Sequence, residues 1–311
     1  MRYVFMCPKG FKHGSPMYLP LIKDLEEYVG EFKIVEEVDE YDFQEDDIVL
    51  IGSRDEDWRV HKGVTFLLDH VVLPSNGIDF CKSDYEVVSS QTVADLYKDW
   101  DIAPRMQCYP FGYFRFDSLD MSVIERETVF AYFRGVKGLT WHDEWAIEEK
   151  GLKSILETLA ERFKQVYVVY HLYHADNPQI EIAKNVKWIN QAEEWDYAFN
   201  TAEYIFGDYT SMFCMALYDS RRKVFRYDHN FKVENKAVAY FHRMMDECVY
   251  PFTENNLKYV LDAVALNDAK KIFRIAWSSR LYGIKREKVA PKIGKVLVEL
   301  GEYYKRNYRW K

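Results

Sequence analysis

Short, continuous apolar runs alternate with amphipathic stretches along this chain. The runs Tyr3–Cys7, Phe32–Glu36, Asp47–Gly52, Thr65–Leu68, Glu86–Ser89 and Arg105–Cys108 read as strands. Helical periodicity falls at Met17–Val29 and Gln91–Trp100. The segment PFGYFRFDSLDMS, residues 110–122, interrupts the pattern, and a second series follows it. There, Thr128–Phe133, Gln165–Tyr170, Lys187–Ile189, Tyr204–Gly207 and Lys223–Arg226 read as strands, the last of these being the final strand expected. Glu144–Phe163, Ala192–Asn200, Ser211–Asp219 and residues 233–247, 254–276 and 291–309 read as helices. Runs such as DDIVLIG are apolar throughout rather than alternating, as strands buried on both faces of a parallel sheet are.

The expected fold class is therefore α/β, with two Rossmann-like domains facing across a cleft and a helical C-terminal tail. We place the first domain at residues 1–125, the second at 126–269 and the tail at 270–311, packing back on the body. In open α/β sheets ligands bind beyond the carboxyl ends of the strands. The residues just after each strand are thus the first candidates for chemistry.

Composition narrows the class. Of 311 residues, 48% are apolar and 30% charged, the balance of a globular protein rather than a disordered one. No run of apolar residues is long enough for a membrane span, and MRYVFMCPKG lacks the apolar core of a signal peptide, so a cytoplasmic protein is expected. Five scattered cysteines with no CxxC pair argue for buried thiols over disulfides or zinc. The net charge is −8, yet Lys270–Lys311 holds thirteen Lys and Arg against three Glu, leaving −18 on residues 1–269. The basic tail either meets nucleic acid or an anionic membrane surface, or pairs with the acidic body of its own chain.

The stretch Ala202–Phe225, AEYIFGDYTSMFCMALYDSRRKVF, carries the most chemistry. A strand runs into Asp208-Tyr209-Thr210-Ser211 and directly into an apolar helix. Exposed N–H groups at such a helix start, with the hydroxyls of Thr210 and Ser211, form a phosphate cradle. Ordinary N-capping by the same residues is the plainer alternative.

This stretch resembles the A-D-x-L-I-T-D-Y-S-S-x-x-F-E/D-x-A-x-L-x-x-P-x-x-F segment of the CDP-glycerol glycerophosphotransferases, the teichoic-acid polymerases and primases of GT-B fold. Ala202, Asp208, Tyr209, Ser211, Phe213, Ala216, Leu217 and Phe225 match it, and Thr210 replaces a Ser. Gly207, Cys214 and Arg222 depart from it, standing where the family has Thr, an acid and Pro. Upstream, His171 matches the His of the family's K-x-H-P, which lies near the donor pyrophosphate, with Leu172 in place of Pro. His174 follows at i+3, but no further ligand completes a metal site with it. The strand ending at Phe133 with Arg134-Gly135 resembles the opening of the family's second domain, and an Arg suits a diphosphate. Gly112, Arg115 and Asp117 match G-x-P-R-x-D at the end of the first domain, where interdomain structure rather than chemistry is expected. The resemblance covers residues 128–226 best. It implies donor-phosphate binding by Arg134, His171, Asp208, Thr210 and Ser211.

The first domain should supply the acceptor side. Lys9–Pro20 looks like the G-x-G-H-x-x-P loop of many GT-B enzymes, with His13 at its tip. His70, after the strand Thr65–Leu68, sits where the family has Trp-His-Gly. Either imidazole can serve as base on a hydroxyl. The strings Asp55-Glu56-Asp57 and Asp99-Trp100-Asp101 do not follow donor-domain strands, so no metal is expected. GxxxxGK[ST], GxSxG and HExxH are missing from the sequence, which removes the usual support for ATPase, α/β-hydrolase and zincin chemistry. The resemblance thus implies a metal-independent transferase without a cofactor, its nucleotide-diphosphate donor being a substrate and its acceptor a hydroxyl of a glycan, polyol phosphate or modified nucleic acid. A phage-type DNA- or RNA-base glycosyltransferase, a UDP-sugar 2-epimerase and an inactive nucleotide-binding protein are the alternatives.

Overall fold

The structure is a computed structural model, and it describes residues 1–6, 14–36, 41–52, 62–68, 83–99, 107–117, 123–139, 146–170, 179–189, 192–208, 212–229, 236–282 and 287–307. The chain divides into two compact units. One takes the described residues up to 117 together with those from 280 onward; the other takes residues 123–279.

The first unit contains β1 (Tyr3–Met6), α1 (Gly14–Val29), β2 (Lys33–Val35), β3 (Ile48–Ile51), β4 (Val64–Leu68), β5 (Tyr85–Val87), α2 (Gln91–Asp99) and β6 (Gln107–Tyr109). Its strands form one parallel sheet in the order β2-β1-β3-β4-β5-β6. Every residue of β3 and β4 is buried, which is why their sequences show no alternation. The single Tyr18 hydroxyl proton, on α1, is shared between the Gly52 carbonyl beyond β3 and the Leu68 carbonyl at the end of β4.

The second unit contains β7 (Glu125–Phe133), α3 (Glu149–Arg162), β8 (Gln165–Tyr170), β9 (Val186–Trp188), α4 (Ala192–Thr201), β10 (Ala202–Gly207), α5 (Met212–Ala216), β11 (Lys223–Tyr227), α6 (Lys236–Cys248), β12 (Tyr250–Phe252) and α7 (Leu257–Leu266). Its parallel sheet runs β12-β11-β10-β7-β8-β9, the doubly wound Rossmann order. On α3, Leu152, Ile155, Leu156 and Leu159 share one face and are buried against β7 and β8 residues such as Val129, Val166 and Val168.

Two further helices, α8 (Lys271–Tyr282) and α9 (Ala290–Asn307), close the chain. Ile293 and Leu297 of α9 belong to the first unit's core with Leu21, Ile22 and Leu25 of α1. Gly294 makes this contact possible: a Cβ there would sit 2.6 Å from the Tyr28 ring.

Three expectations change. Residues 254–276 form not one helix but α7 and part of α8, parted at Asn267–Lys270, where Asp268 accepts from the Tyr250 hydroxyl and from Arg274. β12 is an additional strand after Lys223–Arg226; it is three residues long and carries Pro251 on the sheet edge, where a missing N–H costs least. Among the described residues the helix expected over Ser211–Asp219 spans Met212–Ala216 and stops short of Asp219. The chain tightens at Tyr218, whose N–H goes to Met215 O at 3.0 Å, and then turns at Asp219, whose carboxylate accepts the Arg221 N–H at 3.0 Å.

Candidate functional site

In a doubly wound sheet the strand order reverses at one place, and the loops there diverge to opposite faces. In the second unit that place lies between β7 and β10. Arg134 leaves the carboxyl end of β7 and Asp208 follows the end of β10, so the two stand side by side at the switch point. The Arg134 N–H donates to Asp208 Oδ2, and the Asp208 N–H donates to Tyr132 O at 3.3 Å. Asp208 is wholly buried. Burial pushes its carboxyl up to about 7, opposed by the Arg134 N–H, the Arg134 charge and its own backbone N–H.

The two strands approach closely because residue 207 is glycine. A Cβ there would lie 2.7 Å from Tyr132 O and 3.3 Å from the Phe213 ring. This accounts for one departure from the teichoic-acid pattern. A second is Cys214, wholly buried in α5 where a carboxylate would find no water. The third is Arg222, also buried, which donates to Asn200 O at 2.8 Å and lies over the Phe199 ring.

Sequence reasoning missed two polar groups beyond the carboxyl ends of the next strands, β11 and β12. His229 follows β11, and its ring meets Tyr227 edge-on at 4.8 Å. Burial lowers its pKa to about 4, helped by Arg226 and Arg134 and opposed by Asp228, so it is neutral at physiological pH. Glu254 follows β12 and accepts from the Tyr227 hydroxyl at 2.9 Å. Its carboxylate lies 3.8 Å from where a Gly151 Cβ would be, in the first turn of α3. No motif marks either residue. The available clue was position alone, a polar side chain one or two residues beyond a strand.

His13, His70, His171, Thr210 and Ser211 lie outside the described residues, as do His174 and Asp55-Glu56-Asp57. By connectivity His13 falls between β1 and α1, His70 after β4, His171 after β8, and Thr210 and Ser211 between β10 and α5. Among the described residues no cluster of His, Cys, Asp and Glu could hold a metal ion. A groove of about 740 Å³ in the first unit, lined by Tyr3, Tyr28, Phe32 and Lys305, lies at the amino ends of β1 and β2, opposite the carboxyl ends of that unit's own strands.

No protein-family model matches the sequence, and no curated protein matches it as a relative. Solved structures do match. The wall teichoic acid polymerase TagF aligns with 97% of this chain and 89% of its own at a TM-score of 0.64 and 12% identity. The fold is GT-B. The glycosyltransferase SnogD from Streptomyces nogalater follows at 0.57, with 11% identity over 97% of this chain and 99% of that one. A putative UDP-N-acetylglucosamine 2-epimerase from Listeria monocytogenes aligns at 0.56, with 11% identity over 98% and 97%. At these identities the likeness fixes the GT-B architecture and leaves the chemistry to the residues.

Proposed function

We propose that the protein is a nucleotide-donor-dependent transferase, moving a glycosyl or glycerophosphoryl group to an acceptor hydroxyl without a metal ion. The observation that carries this reading is the pairing of Arg134 with Asp208 at the switch point of a Rossmann-ordered sheet. The Arg134 guanidinium neutralises the donor diphosphate as the leaving group gains charge. Thr210, Ser211 and His171 add hydrogen-bond donors. With five described residues, α5 is a short source of dipole beside the fixed charge and hydroxyls that carry the anion. Asp208 acts through the Arg134 backbone and not on phosphate. Glu254, oriented by Tyr227, accepts hydroxyls of the nucleoside sugar.

The acceptor hydroxyl loses its proton to His13 or His70 as its oxygen attacks. Glycosyl transfer then expels a nucleoside diphosphate; glycerophosphoryl transfer expels a nucleoside monophosphate. A UDP-sugar 2-epimerase is the second reading, favoured by the Listeria structure.

A thermal-shift panel of CDP, UDP, GDP, CDP-glycerol and UDP-sugars, with and without Mg²⁺, tests the donor site. Binding at 100 times Kd adds about 2.7 kcal/mol of stability. We expect one base to respond regardless of Mg²⁺, and Arg134→Ala to weaken that response by one to two orders of magnitude in affinity. Turnover of a UDP-sugar alone would establish the epimerase. Silence from every nucleotide would remove the donor site.

A further inference from the structure

Asp208 is enclosed on all sides, and among the described residues only one of its carboxyl oxygens meets a partner outside Asp208 itself. Oδ2 accepts the Arg134 N–H, while Oδ1, also buried, has no hydrogen-bond partner among the described residues. From β7 the charge that reaches it is Arg134. The neighbouring α5, Met212-Phe213-Cys214-Met215-Ala216, brings no Asp, Glu, Lys, Arg or His. Beyond β11, Arg226, Asp228 and His229 bear on one another and on Arg134 rather than on Asp208. A buried carboxylate with one satisfied oxygen and one compensating cation holds its charge at a cost.

A diphosphate drawn to Arg134 claims that cation and brings negative charge close to the carboxylate. Both effects favour the neutral acid. We propose that Asp208 is a positioning residue that takes up one proton from solvent as an anionic diphosphate binds beside Arg134. The proton goes to Oδ1, the oxygen without a partner among the described residues. Oδ2 goes on accepting the Arg134 N–H, so the loop keeps its place while the charge disappears. Its titration in the unliganded protein, near neutral pH, leaves the carboxylate poised for this exchange. The inference rests on the reading of this place as a diphosphate site.

Calorimetric titration with CDP-glycerol and with UDP-glucose tests it, because a diphosphate diester keeps a fixed charge between pH 6 and 8.5. The expected result is an affinity that falls with rising pH above about 7, approaching tenfold per unit. Binding heats should differ between phosphate and Tris buffers by the ionisation heat of the protons taken up. Asp208→Asn should bind with a flat pH profile. Wild-type affinity that is flat over this range, or a slope that survives in Asp208→Asn, would overturn the proposal. If the variant does not fold, the buffer comparison on the wild type decides: equal heats overturn it. Failure of both ligands to bind at any pH would instead sink the diphosphate reading itself.

Discussion

Asp117 caps a helix that begins 173 residues later: its Oδ2 accepts the backbone N–H groups of Val289 at 2.7 Å and Ala290 at 3.0 Å. Both donors lie at the start of α9, where no intrahelical acceptor is available. The carboxylate sits in a 3-10 turn, Phe114–Asp117, whose Phe114 stacks on Tyr18 of α1. The segment resembling G-x-P-R-x-D thus ties the chain's last helix into the first unit. Asp117→Ala should cost about 1–2 kcal/mol, and Asp117→Asn less, since an amide oxygen still accepts. Urea denaturation with nucleotide affinity measured in parallel checks this. Stability should fall and affinity should hold.

Gly207→Ala makes the opposite separation. The added methyl meets Tyr132 O, a backbone atom that moves only if β7 and β10 part. Overpacking of this kind costs about 1–3 kcal/mol. Because the same movement pulls Arg134 from Asp208, donor affinity should drop together with the melting temperature. A variant that melts lower yet binds donor as the wild type does would show that the strand spacing is not what sets the site.

The central strands were legible from sequence because burial on both faces leaves only apolar residues, as in Ile48–Ile51 and Val166–Tyr170. Their lateral order was not, since register depends on partners far along the chain. β12 escaped because Tyr250–Phe252 is short and holds a proline. The break between α7 and α8 escaped because it is made by tertiary hydrogen bonds at Asp268. Arg134 and Asp208 could be singled out individually as strand-end residues. That they bond to each other follows from β10 lying beside β7, which the sequence does not state. His229 and Glu254 belong to no motif, and only the fold brings them near.

Two buried groups give stability opposite pH slopes. Asp208 has a raised pKa, so between roughly 4 and 7 the folded protein keeps a proton that the unfolded chain has released. Stability falls with rising pH across that window, by at most about 1.4 kcal/mol per unit. His229 has a lowered pKa of about 4, so up to the ordinary histidine value of 6.5 the unfolded chain binds the extra proton. Its contribution rises with pH from about 4 to 6.5 and then levels. Asp208→Asn should therefore gain on the wild type as pH increases from 4 to 7, leaving the His229 rise exposed. Melting curves at half-unit intervals, without ligand, read this directly. Parallel curves for the two proteins would mean that Asp208 titrates in the folded state as it does in the unfolded one.

The basic C-terminal stretch divides into spent and available charge. Lys270 donates to the Asp246 and Val249 carbonyls, Arg274 binds Asp268, and Arg306 pairs with Glu302 at 3.2 Å. The outer face of α8 differs: Ile272 is 69% exposed and Ile275 49%, beside Lys271, and Leu266 at the end of α7 is 90% exposed. Aliphatic side chains set among cations, with no acidic residue between Ala269 and Arg286, suit an anionic lipid surface better than a duplex, which offers nothing for Ile272 and Ile275. No helix among the described residues is long and apolar enough to cross a membrane, so contact through this face would be peripheral. Co-flotation with phosphatidylglycerol vesicles should exceed that with phosphatidylcholine and weaken with salt. Ile272→Glu with Ile275→Glu should abolish it while nucleotide affinity stays unchanged. Salt-sensitive binding to duplex DNA, with no preference between the two vesicles, would favour the nucleic-acid acceptor instead.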